Sequence, residues 1–170
     1  MKANDEKTIQ IHRIYIHATP QAIWDAITQP EFTQRYGYCT PVEYDLRQGG
    51  KFRALANEGM KKFPGIPDVV SDGEVIECDP PRRLVQTWRM TMSPELKAEG
   101  FTRVTWEIEP GRGGVSRLTV THDLAGAVKW GAVVAGKREA QGAGGGWAEV
   151  LSGMKTLLET GQGLAPQSGP

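Results

Sequence analysis

The residues 147–160, WAEVLSGMKTLLET, repeat apolar side chains at the spacing of an α-helix. The apolar positions follow i, i+3, i+4, i+7, i+10 and i+11, and they are occupied by Trp147, Val150, Leu151, Met154, Leu157 and Leu158. Three glycines precede the segment, and Gly161 stands where helices commonly end. A helix with a single apolar face must bury that face. The rest of the chain must therefore form a broad apolar surface for this helix to pack on.

The residues 41–123 have the pattern of strands that form such a surface. The segment 73–88, GEVIECDPPRRLVQTW, predicts two strands joined at Asp79-Pro80-Pro81, and shorter strands are predicted over 42–46 and 51–57. The segments 101–109 and 115–123 alternate between apolar and polar residues, and they place on one face Val104, Trp106 and Ile108, then Leu118, Val120 and His122. This alternation is typical of an antiparallel sheet with one buried and one solvated face.

The first 40 residues predict a strand followed by two helices. The segment 8–17, TIQIHRIYIH, carries apolar residues on both parities, so we expect a strand that is partly buried on both sides. Thr19 is placed as the N-cap and Pro20 as the first residue of a helix that extends to Ile27. A second short helix is expected to begin at Pro30. These helices, the strands that follow and the terminal helix together predict an α+β fold.

The remaining segments predict loops within one domain. We expect an exposed loop over 58–68 and a loop or one helical turn over 93–100. The segment 124–146 is ambiguous, because its glycines and alanines disfavour a strand while 128–130 fits a helical turn. We expect a single domain over 8–161, with disordered tails at 1–7 and 162–170.

The composition argues against several classes of function. The 170 residues have a formal net charge of zero, so nothing suggests a nucleic-acid partner. No apolar run reaches 18 residues, and the N-terminal residues lack the apolar stretch of a signal peptide, so we expect a cytoplasmic protein without a membrane span. Cys39, Cys78 and three histidines lack the spacing of a metal site, and we predict no metal.

We also predict no cofactor. The segment 131–138, GAVVAGKR, imitates a phosphate-binding loop, but Arg138 occupies the position of the required hydroxyl residue. In addition, no buried parallel strand precedes the segment. Nucleotide binding is therefore not expected.

Several segments together resemble one known family. They are, in order, IHATPQAIWDAITQPE, GGKFR, GEVIECDPPRRLVQTW, VTWEIEP and GGWAEVLSGMKTLLE. Their succession is similar to the domain named after the activator of the heat-shock-protein-90 ATPase, a member of the START-like (SRPBCC, birch-allergen-like) superfamily. The resemblance covers about 8–161. It implies a helix-grip fold, in which a curved antiparallel sheet of six or seven strands surrounds the long C-terminal helix and leaves a cavity between them.

Seven residues are candidates for the wall of this cavity. They are inward-facing aromatic residues, adaptable methionines and one histidine, namely Phe52, Trp88, Met90, Trp106, His122, Trp147 and Met154. The aromatic residues fit a plain core as well as a cavity wall. His122 is the single weak candidate for a general base, with an ordinary buried histidine as the alternative.

The sequence favours a binding protein over an enzyme. We predict that a small apolar or amphipathic ligand occupies the space between the sheet and the helix at 147–160. The alternatives are a cyclase or hydratase that uses the same cavity, and a module that interacts with a chaperone. Neither the identity of the ligand nor the oligomeric state follows from the sequence.

Overall fold

A single antiparallel sheet of seven strands forms the centre of the protein. The structure, a computed structural model, describes residues 8–164. The strands are β1 Ile9–Ile16, β2 Val42–Tyr44, β3 Lys51–Leu55, β4 Val69–Asp79, β5 Arg83–Met90, β6 Thr102–Pro110 and β7 Ser116–Asp123. Their order across the sheet is β1-β7-β6-β5-β4-β3-β2. The first two strands therefore lie at opposite edges, although they are close in sequence.

Five α-helices accompany the sheet within the described residues. They are α1 Pro20–Thr28, α2 Pro30–Thr33, α3 Pro94–Ala98, α4 Val128–Val134 and α5 Trp147–Thr160. Short 3-10 turns occur at Met60–Lys62 and Glu139–Gln141. The predicted terminal helix has the same bounds as α5, and Gly161 ends it in the left-handed conformation with φ 79°. No helix within residues 8–164 is long and apolar enough to cross a lipid bilayer.

The hairpin at Asp79-Pro80-Pro81 is confirmed as β4 and β5. Cys78 pairs with Leu84 near the turn, and Ser71 pairs with Met90 at the open end. The register shifts once between Val75 and Glu77, and β3 and β4 show a second shift next to Ala54. Because bulges bend a strand and increase its twist, these two shifts curve the sheet around the helices.

The apolar core fills the concave side of this sheet, where α1 contacts β6 and α5, and α5 contacts β1. The predicted alternation is confirmed, since the inward residues of β6 and β7 are buried: Val104, Trp106, Ile108, Leu118, Val120 and His122. The α+β class and the helix-grip arrangement of a curved sheet around a C-terminal helix are therefore confirmed.

The prediction that β1 is partly buried on both sides is wrong for one side. Ile9, Ile11 and Tyr15 are 50%, 64% and 58% exposed, whereas Ile16 is fully buried. The reason is that helices cover only the concave face of the sheet. The other parity of β1 therefore faces solvent, despite its apolar residues.

The helix α1 begins as the sequence predicts. Thr19 has an extended backbone, and its side-chain oxygen accepts a hydrogen bond from the amide of Ala22 at 3.1 Å. Pro20 occupies the first helical turn, where a missing N–H costs no hydrogen bond. These two residues set the start of α1, and the helix then buries Ile23, Trp24 and Ile27.

Replacing Thr19 with alanine should lower the free energy of unfolding by about 1 kcal/mol, because the amide of Ala22 loses its partner. Urea unfolding followed by circular dichroism measures the change. Thr19→Ser keeps the hydroxyl and is the matched control, with an expected loss of less than about 0.5 kcal/mol. Equal losses in both variants would mean that the hydroxyl cap does not stabilise α1.

The two segments predicted as loops, 58–68 and 93–100, and the ambiguous segment 124–146 each contain a short helix or turn. The segment 93–100 contains the short helix α3, whose N-cap Ser93 accepts a hydrogen bond from the amide of Leu96. The segment 58–68 is a loop with one 3-10 turn, and 124–146 contains α4. Of the predicted tails, 1–7 and 165–170 lie outside the described residues.

Candidate functional site

A cavity of about 100 Å³ lies between the sheet and the first turn of α5. Strands β2 to β6 line one side, while the segment 36–40 and the residues Val134, Gly146, Trp147 and Val150 line the other. Of the terminal helix, only its beginning reaches the cavity. Met154 and Leu157, further along α5, are buried in the core instead and do not line the cavity.

Glycine at position 146 fixes the start of α5 at the cavity. Its φ is 68°, and a Cβ there would lie 2.2 Å from the carbonyl oxygen of Val134. Only a residue without a side chain permits this approach of two backbone segments. Trp147 is therefore held at the junction of α4, α5 and the sheet.

A hydrogen-bonded group of three polar side chains forms part of the wall. The Tyr44 hydroxyl donates to Gln86 Oε1 at 2.5 Å, and the Trp106 indole nitrogen donates to the same oxygen at 3.2 Å. Burial raises the pKa of Tyr44, so its hydroxyl stays protonated. Gln86 is 2% exposed, and it comes two residues before Trp88 on the inward face of β5.

Aromatic rings pack around Trp147 beside the cavity. Its ring meets those of Trp88 and Trp106 edge to face, with centroids 5.6 and 5.3 Å apart. Trp88 in turn meets Trp130 of α4 at 5.4 Å. Within residues 8–164, the indole nitrogens of Trp88 and Trp130 are fully enclosed and have no hydrogen-bond partner.

His122 is fully buried next to this aromatic cluster. Its Nδ1 accepts a hydrogen bond from the Trp147 indole at 3.1 Å, and its Nε2 lies 2.7 Å from the Thr102 hydroxyl. The Thr102 hydroxyl donates its own hydrogen to the carbonyl of Trp88, so it must accept a hydrogen from Nε2. The contacts thus specify the neutral imidazole with hydrogen on Nε2.

The protonation of His122 agrees with these contacts. Burial, with a smaller contribution from the charge of His12, lowers the pKa of His122 to about 3. A proton on Nδ1 would oppose the Trp147 N–H. The ring is therefore neutral near pH 7 with both nitrogens engaged, which is the arrangement of a structural histidine rather than of a general base facing a substrate.

The structure brings four of the predicted residues to the cavity wall: Phe52, Trp88, Trp106 and Trp147. Met90, His122 and Met154 lie outside the wall. Met154 is a completely buried residue of α5, and Met90 packs at the edge of the core. Binding of a ligand by any of these residues stays a prediction.

Sequence reasoning missed the polar part of the wall. Gln86, Tyr44 and Ser71 all line the cavity. The sequence does contain a signal for Gln86. It alternates with Leu84 and Trp88 along a predicted strand, so its side chain is expected on the same inward face. A polar residue at such a position must find a hydrogen-bond partner or face a cavity.

The described wall has no charged side chain and no histidine. The hydroxyls of Tyr36 and Tyr38 donate to the carbonyls of Ala26 and Ala143, and burial raises the pKa of each. Residues 8–164 also contain no cluster of three or more His, Cys, Asp or Glu side chains that fits a metal ion. The wall therefore offers apolar contact and hydrogen bonds, without a group that titrates near pH 7.

The fold has many counterparts among solved structures. One is protein MLL2253 from Mesorhizobium loti, with 18% identity and a TM-score of 0.63 over 89% of this chain and 96% of that chain. An HSP90 activator from Plasmodium falciparum has 19% identity and a TM-score of 0.60 over 89% and 96%. The Aha1 dimer from Colwellia psychrerythraea has 17% identity and a TM-score of 0.58 over 91% and 98%. At these identities the likeness shows the fold alone.

One family model matches the sequence itself. It describes Activator of Hsp90 ATPase homolog 1-like proteins and matches residues 17–159. No curated protein matches the chain. The family match begins within the β1–α1 connection and ends in the last turn of α5, so it includes every element that lines the cavity. The chain therefore belongs to the Activator of Hsp90 ATPase homolog 1-like family.

Proposed function

We propose that the protein is a cytoplasmic binding protein that holds a small apolar molecule in the cavity between the sheet and the start of α5. The observation that carries the proposal is the cavity of about 100 Å³ with a predominantly apolar, partly aromatic wall. Apolar cavities of roughly 150 Å³ accommodate benzene. The cavity here is smaller, so one ring is the largest group that it can hold, with part of the ring at the opening of the cavity, and a long acyl chain does not fit.

The expected affinity is modest. Burying one aromatic ring removes about 150–200 Å² from water, which contributes roughly 4–5 kcal/mol at 25 cal/mol per Å². This corresponds to a dissociation constant on the order of 0.1–1 mM. Titrations must therefore extend into the millimolar range.

Toluene is a suitable probe, and the indole N–H signals of the five tryptophans report where it binds. Trp88, Trp106 and Trp147 line the cavity, whereas Trp24 is a buried residue of α1 outside the cavity wall. We expect saturable shifts of the first three signals and a constant Trp24 signal in ¹H–¹⁵N spectra. Absence of saturation up to the solubility limit of toluene would contradict the proposal.

A cavity-filling variant separates specific binding from surface adsorption. Ala54 lines the cavity, so Ala54→Leu should weaken toluene binding at least about fivefold. Ala98 is exposed on α3, and Ala98→Leu adds the same atoms away from the cavity as the matched control. Equal toluene affinities in the two variants would mean that toluene binds outside this cavity.

The wall supports binding better than general acid–base catalysis. A cyclase or hydratase needs at least two polar groups that exchange protons near the substrate. The nearest histidine, His122, is neutral and has both nitrogens engaged, and the described wall includes no carboxylate. The enzymatic alternative therefore has less support than the binding function.

A chaperone contact is the second candidate, favoured by the outer face of β1. Ile9, Ile11 and Tyr15 are exposed together on this edge strand, and the family takes its name from an Hsp90 activator. If this face binds Hsp90, Ile11→Glu should abolish capture by purified full-length Hsp90. Val128→Glu alters an equally exposed apolar residue on α4 and serves as the control. Equal capture of both variants would exclude the β1 face.

A further inference from the structure

The carboxamide of Gln86 has a defined orientation. The Trp106 indole nitrogen only donates hydrogen bonds, so the Gln86 atom 3.2 Å from it must be the oxygen. The Tyr44 hydroxyl then donates to that oxygen as well. Both contacts fix Oε1 toward β2 and β6 and leave Nε2 as the other end of the group.

The Gln86 Nε2 group has no hydrogen-bond partner among residues 8–164. Gln86 is only 2% exposed, and it lines the cavity. The unpaired indole nitrogens of Trp88 and Trp130 are sealed from any probe, whereas Gln86 Nε2 keeps accessible surface. Two N–H donors therefore face the cavity, and leaving such donors unpaired costs about 1–3 kcal/mol.

The wall also limits the charge of an occupant. Within the described chain, no Lys, Arg or His side chain lines the cavity, so a carboxylate there would lose its hydration without gaining a cation. The free donors of Gln86 instead match a neutral acceptor. The oxygen of that same carboxamide already accepts two hydrogen bonds, which disfavours an occupant that must donate at this point.

We propose, resting on the binding function above, that the cavity selects small uncharged ring compounds with a carbonyl oxygen that accepts a hydrogen bond from Gln86 Nε2. The apolar ring occupies the space beside Phe52, Trp106 and Trp147, and the carbonyl points toward β5. The hydrogen bond determines the orientation of the ligand, while burial of the ring determines most of the affinity.

A matched pair of ligands tests the proposal. Acetophenone and α-methylstyrene have nearly the same shape, and they differ by a carbonyl oxygen in place of a methylene group. Their dissociation constants are measured by the tryptophan indole shifts for the wild type and for Gln86→Met. Each free ligand has the same hydration free energy in both titrations. The ratio of its dissociation constants for the variant and the wild type is therefore independent of that hydration.

We expect Gln86→Met to weaken acetophenone about tenfold and to change α-methylstyrene by less than about twofold. Gln86→Glu is the companion variant, measured at pH 9, because its ionised carboxylate keeps an acceptor for Tyr44 and Trp106 and has no hydrogen to donate. It should also lower the preference for acetophenone. Ser71 is also a buried polar residue of the wall, and its side chain has no described partner, so Ser71→Ala tests whether its hydroxyl binds the carbonyl instead. Gln48 is exposed and lies outside the wall, and Gln48→Met is the matched control, expected to change neither ligand by more than about twofold.

The outcomes separate the two proposals. If neither ligand binds to the wild type, the binding function fails and this inference fails with it. If both bind and the Gln86 variants weaken them equally, or if Ser71→Ala alone weakens acetophenone, the cavity binds ligands but the role of Gln86 is overturned. Should both Gln86 variants fail to fold, the infrared carbonyl stretch of acetophenone bound to the wild type decides. A shift to lower frequency than in hexane supports the hydrogen bond, and an unchanged frequency overturns it.

Discussion

We expect Trp147→Ala to lower the free energy of unfolding by about 3–5 kcal/mol, the usual range for a buried tryptophan. Trp147 is 3% exposed at the start of α5, and its ring contacts Trp88, Trp106 and His122. Its removal also leaves His122 Nδ1 without a donor at the centre of the core. Trp147 thus belongs to the terminal helix, contacts residues of the sheet and lines the cavity, so its removal affects all three.

Urea unfolding at pH 7, followed by far-ultraviolet circular dichroism, measures this loss. Phe63→Ala removes an aromatic ring that is 67% exposed, and this control should change stability by less than about 0.5 kcal/mol. Trp147→Phe retains a ring but not the N–H donor. Its loss of stability should therefore lie between the losses of Trp147→Ala and Phe63→Ala. A loss below about 1 kcal/mol for Trp147→Ala would contradict the central position that the structure gives this residue.

Acidification should destabilise the protein through His122. The folded protein binds a proton there with a pKa of about 3, whereas an unfolded histidine has a pKa of about 6.5. Between these values the unfolded state holds more protons, so lowering the pH favours unfolding. The contribution of neutral His122 is complete above pH 6.5, and it falls by up to about 1.4 kcal/mol for each pH unit toward pH 3.

The comparison of wild type with His122→Gln isolates this contribution. Burial also lowers the pKa of His12, but His12 is present in both proteins. The wild type should lose about 2–3 kcal/mol more than the variant between pH 6.5 and pH 4.5. In the folded wild type, ¹⁵N spectra should show a neutral His122 ring with hydrogen on Nε2 throughout this range. A ring that titrates near pH 6.5 would refute the assignment.

Sequence patterns predicted the parts of the fold that depend on local interactions. The bounds of α5, the cap at Thr19 and the hairpin at Asp79-Pro80-Pro81 follow from side-chain spacing and turn chemistry within a few residues. The exposure of Ile11 did not follow, because it depends on which face of β1 the helices cover. That choice arises from contacts between elements far apart in sequence.

The candidate site was predicted only in part for the same reason. Phe52 and Trp106 reach the cavity because their parity faces inward, which spacing reveals. Spacing does not reveal that Met154 is buried in the core while Trp147 and Val150, at the start of α5, line the cavity. The inward parity of His122 was predicted as well, but its neutral state depends on Trp147 and Thr102, which come from other elements.

The pairing of β1 with β7 has a consequence for biosynthesis. Ile9 lies opposite Asp123, so the first strand has no neighbour in the sheet until more than 100 further residues have been translated. At 5–20 residues per second, this interval lasts roughly 6–23 s. Throughout this interval the nascent chain presents a strand-forming segment whose alternate residues include Ile9, Ile11 and Tyr15. Protection of this segment during translation should therefore affect the yield of native protein more than protection of the β4–β5 hairpin, whose strands are adjacent in sequence.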